Sequence, residues 1–198
     1  MAKRRAVANP LALTVMAELV AEPMHPYEMG RRLKEHGKER TVKYNRSSLY
    51  MVVEQLRKAG FVAEQETVRD TQRPERTVYA LTAEGRRELD DWMRELVAEP
   101  QPEYPRFGVA LSLLAIVPPA EAVDLLTRRL AALGELLADT REQLRIGAEA
   151  EVPWIFMIEE DYRLGVLEAE ERFVGTLIES LKRPDYIRSW QDFFASPD

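Results

Sequence analysis

Residues 41–62, TVKYNRSSLYMVVEQLRKAGFV, hold the side chains best suited to recognition chemistry. Between positions 38 and 58, six basic residues (Lys38, Arg40, Lys43, Arg46, Arg57, Lys58) stand against two acidic ones, Glu39 and Glu54. Tyr44, Asn45, Ser47, Ser48, Tyr50 and Met51 lie among them. Guanidinium and ammonium groups pair with phosphate, and amide and hydroxyl groups can meet base edges in a major groove. Leu49, Val52, Val53 and Leu56 recur at i, i+3, i+4 and i+7, which predicts a helix with one apolar face. Asn45 is a natural N-cap and Gly60 a natural stop. Ser47, Tyr50, Met51 and Lys58 then fall on the outer face, with Arg46 and Arg57 on its flank. An ordinary amphipathic surface helix divides its residues in the same way, so the neighbouring segments decide.

Covalent chemistry is poorly served by this chain. Glu159, Glu160 and Asp161, with Glu168, Glu170 and Glu171, are the residues that a general acid/base pair or a hard metal would need. They fall on helices with apolar stripes, where carboxylates form the solvated face. His25 and His36 are the only histidines, and there is no glycine-rich phosphate loop, nucleophile elbow or HExxH motif. Cysteine is absent, which removes disulfides and thiolate metal sites. The expectation is a non-enzyme without metal or cofactor.

Charge is divided along the chain. The formal net charge is −6, but residues 1–81 carry 15 basic and 10 acidic side chains (+5) and residues 82–198 carry 13 and 24 (−11). A polyanion would be drawn to the first segment and repelled by the second. No 18-residue uncharged apolar run exists, and the basic start (Lys3, Arg4, Arg5) leads into no signal-peptide core, so the expected location is the cytoplasm. Asn45-Arg46-Ser47 matches a glycosylation acceptor, by chance in such a context.

The flanking elements give residues 41–62 a setting. Asn9-Pro10 opens a first helix that Glu22-Pro23 stops, and His25-Pro26 opens a second that ends at Gly37. Three short helices with tight connections, the third basic on its outer side, make a helix-turn-helix arrangement. FVAEQETV (61–68), with Val62 and Val68 on one face, and TVYAL (77–81) are strand-like. Between them lie Arg69, Arg73 and Arg76, with Pro74 at the turn, so the expected hairpin is a basic wing. Thr82 can cap a helix with the stripe Leu89, Trp92, Met93 and Leu96.

Three prolines between positions 100 and 105 mark a linker at 98–105, separating a winged helix domain (1–97) from a helical domain (106–198). In the latter, residues 107–116 are almost wholly apolar and read as a buried helix. From Pro118-Pro119 to about Gly147, Val123, Leu126, Leu130, Leu133, Leu137 and Leu144 keep alternating three- and four-residue steps, with Thr140 in the missing slot. A last helix, from about Pro153 to Leu181, aligns Ile155, Ile158, Tyr162, Val166, Ala169, Phe173, Leu177 and Leu181. The fold class expected is mainly α: a winged helix-turn-helix with a two-stranded wing, then an all-helical dimerisation domain. Leu126, Leu130, Leu133, Leu137, Tyr162, Phe173 and Leu177 are the candidate dimer contacts.

The motifs resemble those of the PadR family of bacterial winged-helix transcriptional regulators. They are Pro23-Met24-His25-Pro26-Tyr27-Glu28-Met29, then Ser48-Leu49-Tyr50 running to Leu56 and Gly60-Phe61-Val62, then Arg73-Pro74-Glu75-Arg76 and Tyr79-Ala80-Leu81-Thr82-Ala83-Glu84-Gly85. Pro26 stands where the family usually has glycine. The motifs cover residues 10–97, and the second half is similar in pattern to the helical C-terminal domain of longer members. The resemblance implies a homodimer that represses nearby genes, relieved by a small molecule in some members. Candidate DNA contacts are Lys43, Tyr44, Asn45, Arg46, Ser47, Ser48, Tyr50, Met51, Lys58, Arg69, Arg73 and Arg76. Trp92, Phe107 and Trp154 are candidates for a pocket that takes a flat apolar effector, although Trp92 at helical spacing among Leu89, Met93 and Leu96 is also what a core position looks like. The rival to DNA binding is a winged helix used for protein contact, since the fold hosts several functions. RNA is weakly supported, because no sheet carries a platform of aromatics.

Overall fold

The computed structural model describes residues 5–68 and 76–195. The chain forms two compact units, Met1–Pro102 and Glu103–Asp198. In the first, α1 (Pro10–Ala21), α2 (Pro26–Glu35) and α3 (Arg46–Lys58) precede strands β1 (Val62–Val68) and β2 (Arg76–Leu81) and helix α4 (Ala83–Ala98). The helix starts follow local chemistry. Asn9 accepts a hydrogen bond from the Leu11 N–H at 3.0 Å, and His25 Nδ1 accepts one from the Tyr27 N–H at 3.0 Å. Each cap is followed by proline at the first helical position, where a missing N–H costs nothing, so Pro26 keeps the start of α2.

α1 packs against α2, α3 and α4, and the core is Leu11, Val15, Met16, Met29, Leu33, Leu49, Val52 and Leu56, all fully buried or nearly so. Removing each such side chain from water contributes about 1.5–3 kcal/mol. β1 and β2 pair antiparallel from Val62↔Leu81 to Val68↔Arg76, with a bulge between Glu64 and Glu66. The extra residue breaks the strict alternation from which the sequence placed Val62 and Val68 on one face. Val62 is buried, whereas the side chain of Val68 lies outside the described residues. Met24 adds a short third rung by exchanging two backbone hydrogen bonds with Tyr79 (3.0 and 3.1 Å).

α4 departs from its expected stripe. Gly85, Glu88, Leu89 and Trp92 are buried, whereas Met93 and Leu96 are exposed. Arg5 covers one flank of this buried side. Its guanidinium pairs with Glu88 (2.5 Å) and Glu95 and lies 5.1 Å from the centroid of the Trp92 ring. Trp92 is 5% exposed and packs in the first unit's core.

The second unit contains α5 (Arg106–Ser112), α6 (Pro119–Glu149), α7 (Ile158–Leu181) and α8 (Pro184–Ala195). α6 and α7 form a hairpin whose interior holds Leu126, Leu133, Val174, Ile178 and Leu181, with Leu130 and Leu177 half-buried beside them. Leu137 and Thr140 continue the buried line. These leucines are therefore packed within their own chain. Only Tyr162 and Phe173 among the proposed dimer contacts stand exposed. On α7 the expected stripe is largely the outer one: Ile158, Tyr162, Val166 and Phe173 face solvent, and Ile155 sits in a short 3-10 turn before the helix.

Residues 107–116 do not form one buried helix. α5 ends at Ser112, a 3-10 turn follows at Leu114–Ile116, and none of these residues is buried. Phe107 and Leu114 pack on the hairpin, while Val109, Leu113 and Ile116 point away from it. The Arg129 guanidinium lies 3.6 Å from the Phe107 ring centroid and bonds Glu170 on α7, so Phe107 is a packing residue too. Trp154, in the 3-10 turn before α7, is 67% exposed. α8 was not foreseen. Pro184 starts it, and the Trp190 indole N–H donates to the Ala115 carbonyl at 2.8 Å.

Two stability measurements check this packing. A Cβ on Gly85 would stand 2.0 Å from the Phe61 carbonyl oxygen, so Gly85→Ala is expected to cost about 1–3 kcal/mol or more. It should lower the urea midpoint at unchanged m-value. Trp92→Ala should cost about 3–5 kcal/mol as a core truncation. An unchanged midpoint for that variant would return Trp92 to the pocket reading.

Candidate nucleic-acid interface

α3 is positioned from both ends. At its start the Asn45 side chain accepts from the Ser48 N–H at 2.8 Å, while Ser48 Oγ accepts from the Asn45 N–H at 2.8 Å. This reciprocal capping box satisfies orphan donors of the first turn. Ser48 Oγ also donates to the Asn45 carbonyl at 2.9 Å. The two side chains are thus engaged with each other, and Asn45 is the helix cap that the sequence predicts. At the other end Gly60 takes φ 77°, a left-handed turn that stops the helix and aims the chain into β1.

The inner face, Leu49, Val52, Val53 and Leu56, is buried. Opposite it run Ser47, Met51, Glu54 and Lys58 at alternating four- and three-residue steps. Ser47, Met51 and Lys58 are exposed. Tyr50 sits on the flank, with the Arg46 guanidinium 5.7 Å from its ring centroid and the His25 ring meeting it edge-on at 6.2 Å. His25 thus caps α2 through Nδ1 and packs its ring against Tyr50. Tyr44 is half-buried against the core and donates a long hydrogen bond to the Gly30 carbonyl (3.4 Å). Burial, then the charge of Glu39, raises its phenol above the ordinary value. A groove of about 400 Å³ between α2 and α3 is lined by Tyr27, Gly30, Tyr44, Arg46, Leu49 and Tyr50.

The cations of this face are of two kinds. Lys43 and Arg46 are exposed and make no ion pair among the described residues. Arg57 and Lys58 are compensated. Arg57 Nε and Nη2 both donate to the Glu54 carboxylate at 2.8 Å, and Lys58 Nζ stands 3.6 Å from it. The hydrogen bonds from Arg57, opposed by slight desolvation and aided by both positive charges, pull the Glu54 carboxyl down to about 2, so it is ionised at any physiological pH. Sequence reading left Glu54 off the outer face. Its spacing, three and four residues before Arg57 and Lys58, was the available signal. Arg69 and Arg73 lie outside the described residues. Arg76 pairs with Val68 through its backbone, but its side chain also lies outside them.

No group of three metal-ligating side chains occurs among the described residues, and none of their helices is long and apolar enough to cross a membrane.

Comparison with known proteins places this geometry. Residues 15–91 match the Transcriptional regulator PadR-like family. No curated protein matches the chain. Bacillus subtilis PadR in complex with operator DNA is similar to it with TM-score 0.67 and 19% identity, over 88% of this chain and 100% of that one. The same protein in complex with p-coumaric acid gives TM-score 0.70 and 18% identity, over 90% and 100%. The Vibrio cholerae virulence activator AphA gives TM-score 0.65 and 16% identity, over 86% and 97%. At these identities the likeness is one of fold. Residues 15–91 are thus similar to the PadR-like family of transcriptional regulators, and most of the chain shares the fold of the solved structures.

Proposed function

We propose that the first unit binds duplex DNA with sequence preference and that the protein acts as a homodimeric repressor on a pseudo-palindromic operator. The observation that carries this reading is the outer face of α3, a capped helix that presents Ser47, Tyr50 and Met51 beside Lys43 and Arg46, cations without an ion pair among the described residues. Lys43 and Arg46 would meet phosphates, and Ser47, Tyr50 and Met51 base edges. The operator complex of the similar Bacillus subtilis protein supports the same use of the fold. Occupancy of an operator excludes other proteins from it, and that makes repression the action we assign.

The dimer reading rests on the outer side of α7. Ile158, Tyr162, Val166 and Phe173 form an exposed apolar line in a unit whose interior is already filled by the opposite side of the same helix. Contiguous exposed apolar surface of this kind marks an interface. A two-fold dimer would set two α3 helices about one DNA turn apart.

The DNA reading is tested by titrating a labelled duplex over a range of salt. Lys43→Ala should weaken binding to all sequences alike and reduce the salt slope by about one unit. Replacing Ser47 or Tyr50 should cost about 1–3 kcal/mol at the base pair it reads. Unchanged affinity and slope in Lys43→Ala would show the surface to be misassigned. Wild-type binding without any salt slope would favour a protein-contact module instead.

Sedimentation tests the dimer. The double variant Tyr162→Glu, Phe173→Glu should run as the 22.8 kDa monomer and lose most operator affinity while its winged unit stays folded. A wild-type chain that is itself monomeric at micromolar concentration would end the dimer reading.

A further inference from the structure

Glu54 is a carboxylate set in the middle of a surface that should attract a polyanion. It shares the outer line of α3 with Ser47, Met51 and Lys58 and is held in place by Arg57 and Lys58. The two Arg57 bonds to it are a bidentate, charge-assisted pair, the strongest arrangement open to a guanidinium. Glu64 on β1 also stands 3.8 Å from Arg57 Nε.

We propose that Glu54 is a specificity-determining residue, which withholds Arg57 and Lys58 from the phosphate backbone so that non-cognate duplex is held only by the remaining cations of the face. This rests on the DNA-binding reading given above. The physical reasoning is one of exchange. A phosphate that captured Arg57 would replace one bidentate anion by another and leave Glu54 unpaired beside the polyanion. The exchange therefore yields little, although an uncompensated arginine at that position would release a counterion and add affinity on any sequence. Non-cognate binding is thereby lowered at both positions. A cognate groove can offset the cost, because a carboxylate facing it accepts a hydrogen bond from a cytosine N4 amino group. Discrimination is a difference of affinities, and a repulsive group relieved by one partner alone increases it.

The experiment compares wild type with Glu54→Gln on two duplexes, one of random sequence and one selected by the wild-type protein from a random pool. Affinity is measured by fluorescence anisotropy at several salt concentrations, with circular dichroism confirming the fold. Glu54→Gln should bind the random duplex more tightly, with a salt slope steeper by about 0.9 for each of the two released cations. The affinity ratio of selected to random duplex should fall. The triple variant Glu54→Gln, Arg57→Gln, Lys58→Gln should return the slope to the wild-type value. Glu84→Gln, which removes an equal charge from an equivalent pair with Arg87 on α4, should leave the slope unchanged.

An unaltered slope in Glu54→Gln, or an equal steepening in Glu84→Gln, would overturn the proposal while leaving DNA binding intact. Absence of any duplex binding by both wild type and Glu54→Gln would remove the DNA-binding reading, and this assignment with it.

Discussion

The Phe61 carbonyl oxygen is the point at which the first unit is tied together. It accepts hydrogen bonds from the Thr82 backbone N–H at 3.0 Å and from Thr82 Oγ1 at 3.1 Å. Thr82 Oγ1 also reaches the Gly60 carbonyl at 2.7 Å and accepts from the Gly85 N–H at 2.9 Å, capping α4. The end of α3, the start of β1, the end of β2 and the first turn of α4 therefore meet within a few atoms. α4 can approach only because residue 85 has no side chain. The direction in which α3 presents its outer face is set by this junction and by the apolar contacts beneath it. A threonine and a glycine three residues apart are thus a geometric requirement of the fold, and they occupy no part of the DNA surface proposed above.

Several side chains that look like recognition groups are engaged in holding the scaffold. Asn45 and Ser48 satisfy each other and the first turn of α3, Tyr44 leans into the core, and His25 caps α2 while meeting Tyr50 edge-on. Such bonds fix the rotamers of these side chains and the first turn of α3, so the helix itself needs no further ordering to meet a partner. The surface that remains is smaller than its residue count implies. It is also less positive, because Glu54 offsets both Arg57 and Lys58.

In the second unit one helix has two apolar sides. Val174, Ile178 and Leu181 close the hairpin with α6, while Ile158, Tyr162, Val166 and Phe173 are left on the surface of α7. Arg129 ties the hairpin to α5 by lying over Phe107 and bonding Glu170, and Trp190 ties α8 to the segment around Ala115. A four-element unit with so much of its apolar surface still outside is suited to association, since a single hairpin has too little interior to bury both sides.

Helix caps, the α3 inner face, the approximate bounds of α1 to α3, the start of α4 and the two strands were legible in the sequence, because each depends on neighbours within about four residues. The charge asymmetry and the PadR-like motifs were legible for the same reason. What only the tertiary structure decided depends on contacts far apart in the chain. Arg5 covers a flank of α4 by pairing with Glu88 and Glu95, more than eighty residues away. The choice of which stripe of α7 faces α6 follows from how the hairpin closes, and two stripes of similar periodicity give no local sign of it. The fate of Leu126, Leu133 and Leu137 follows from the same closure. Glu54 was visible as a spacing, but only the side-chain geometry shows it holding Arg57 at two points. Periodicity identifies a helix face from one residue to the next, while the identity of what covers that face is a property of the folded chain alone.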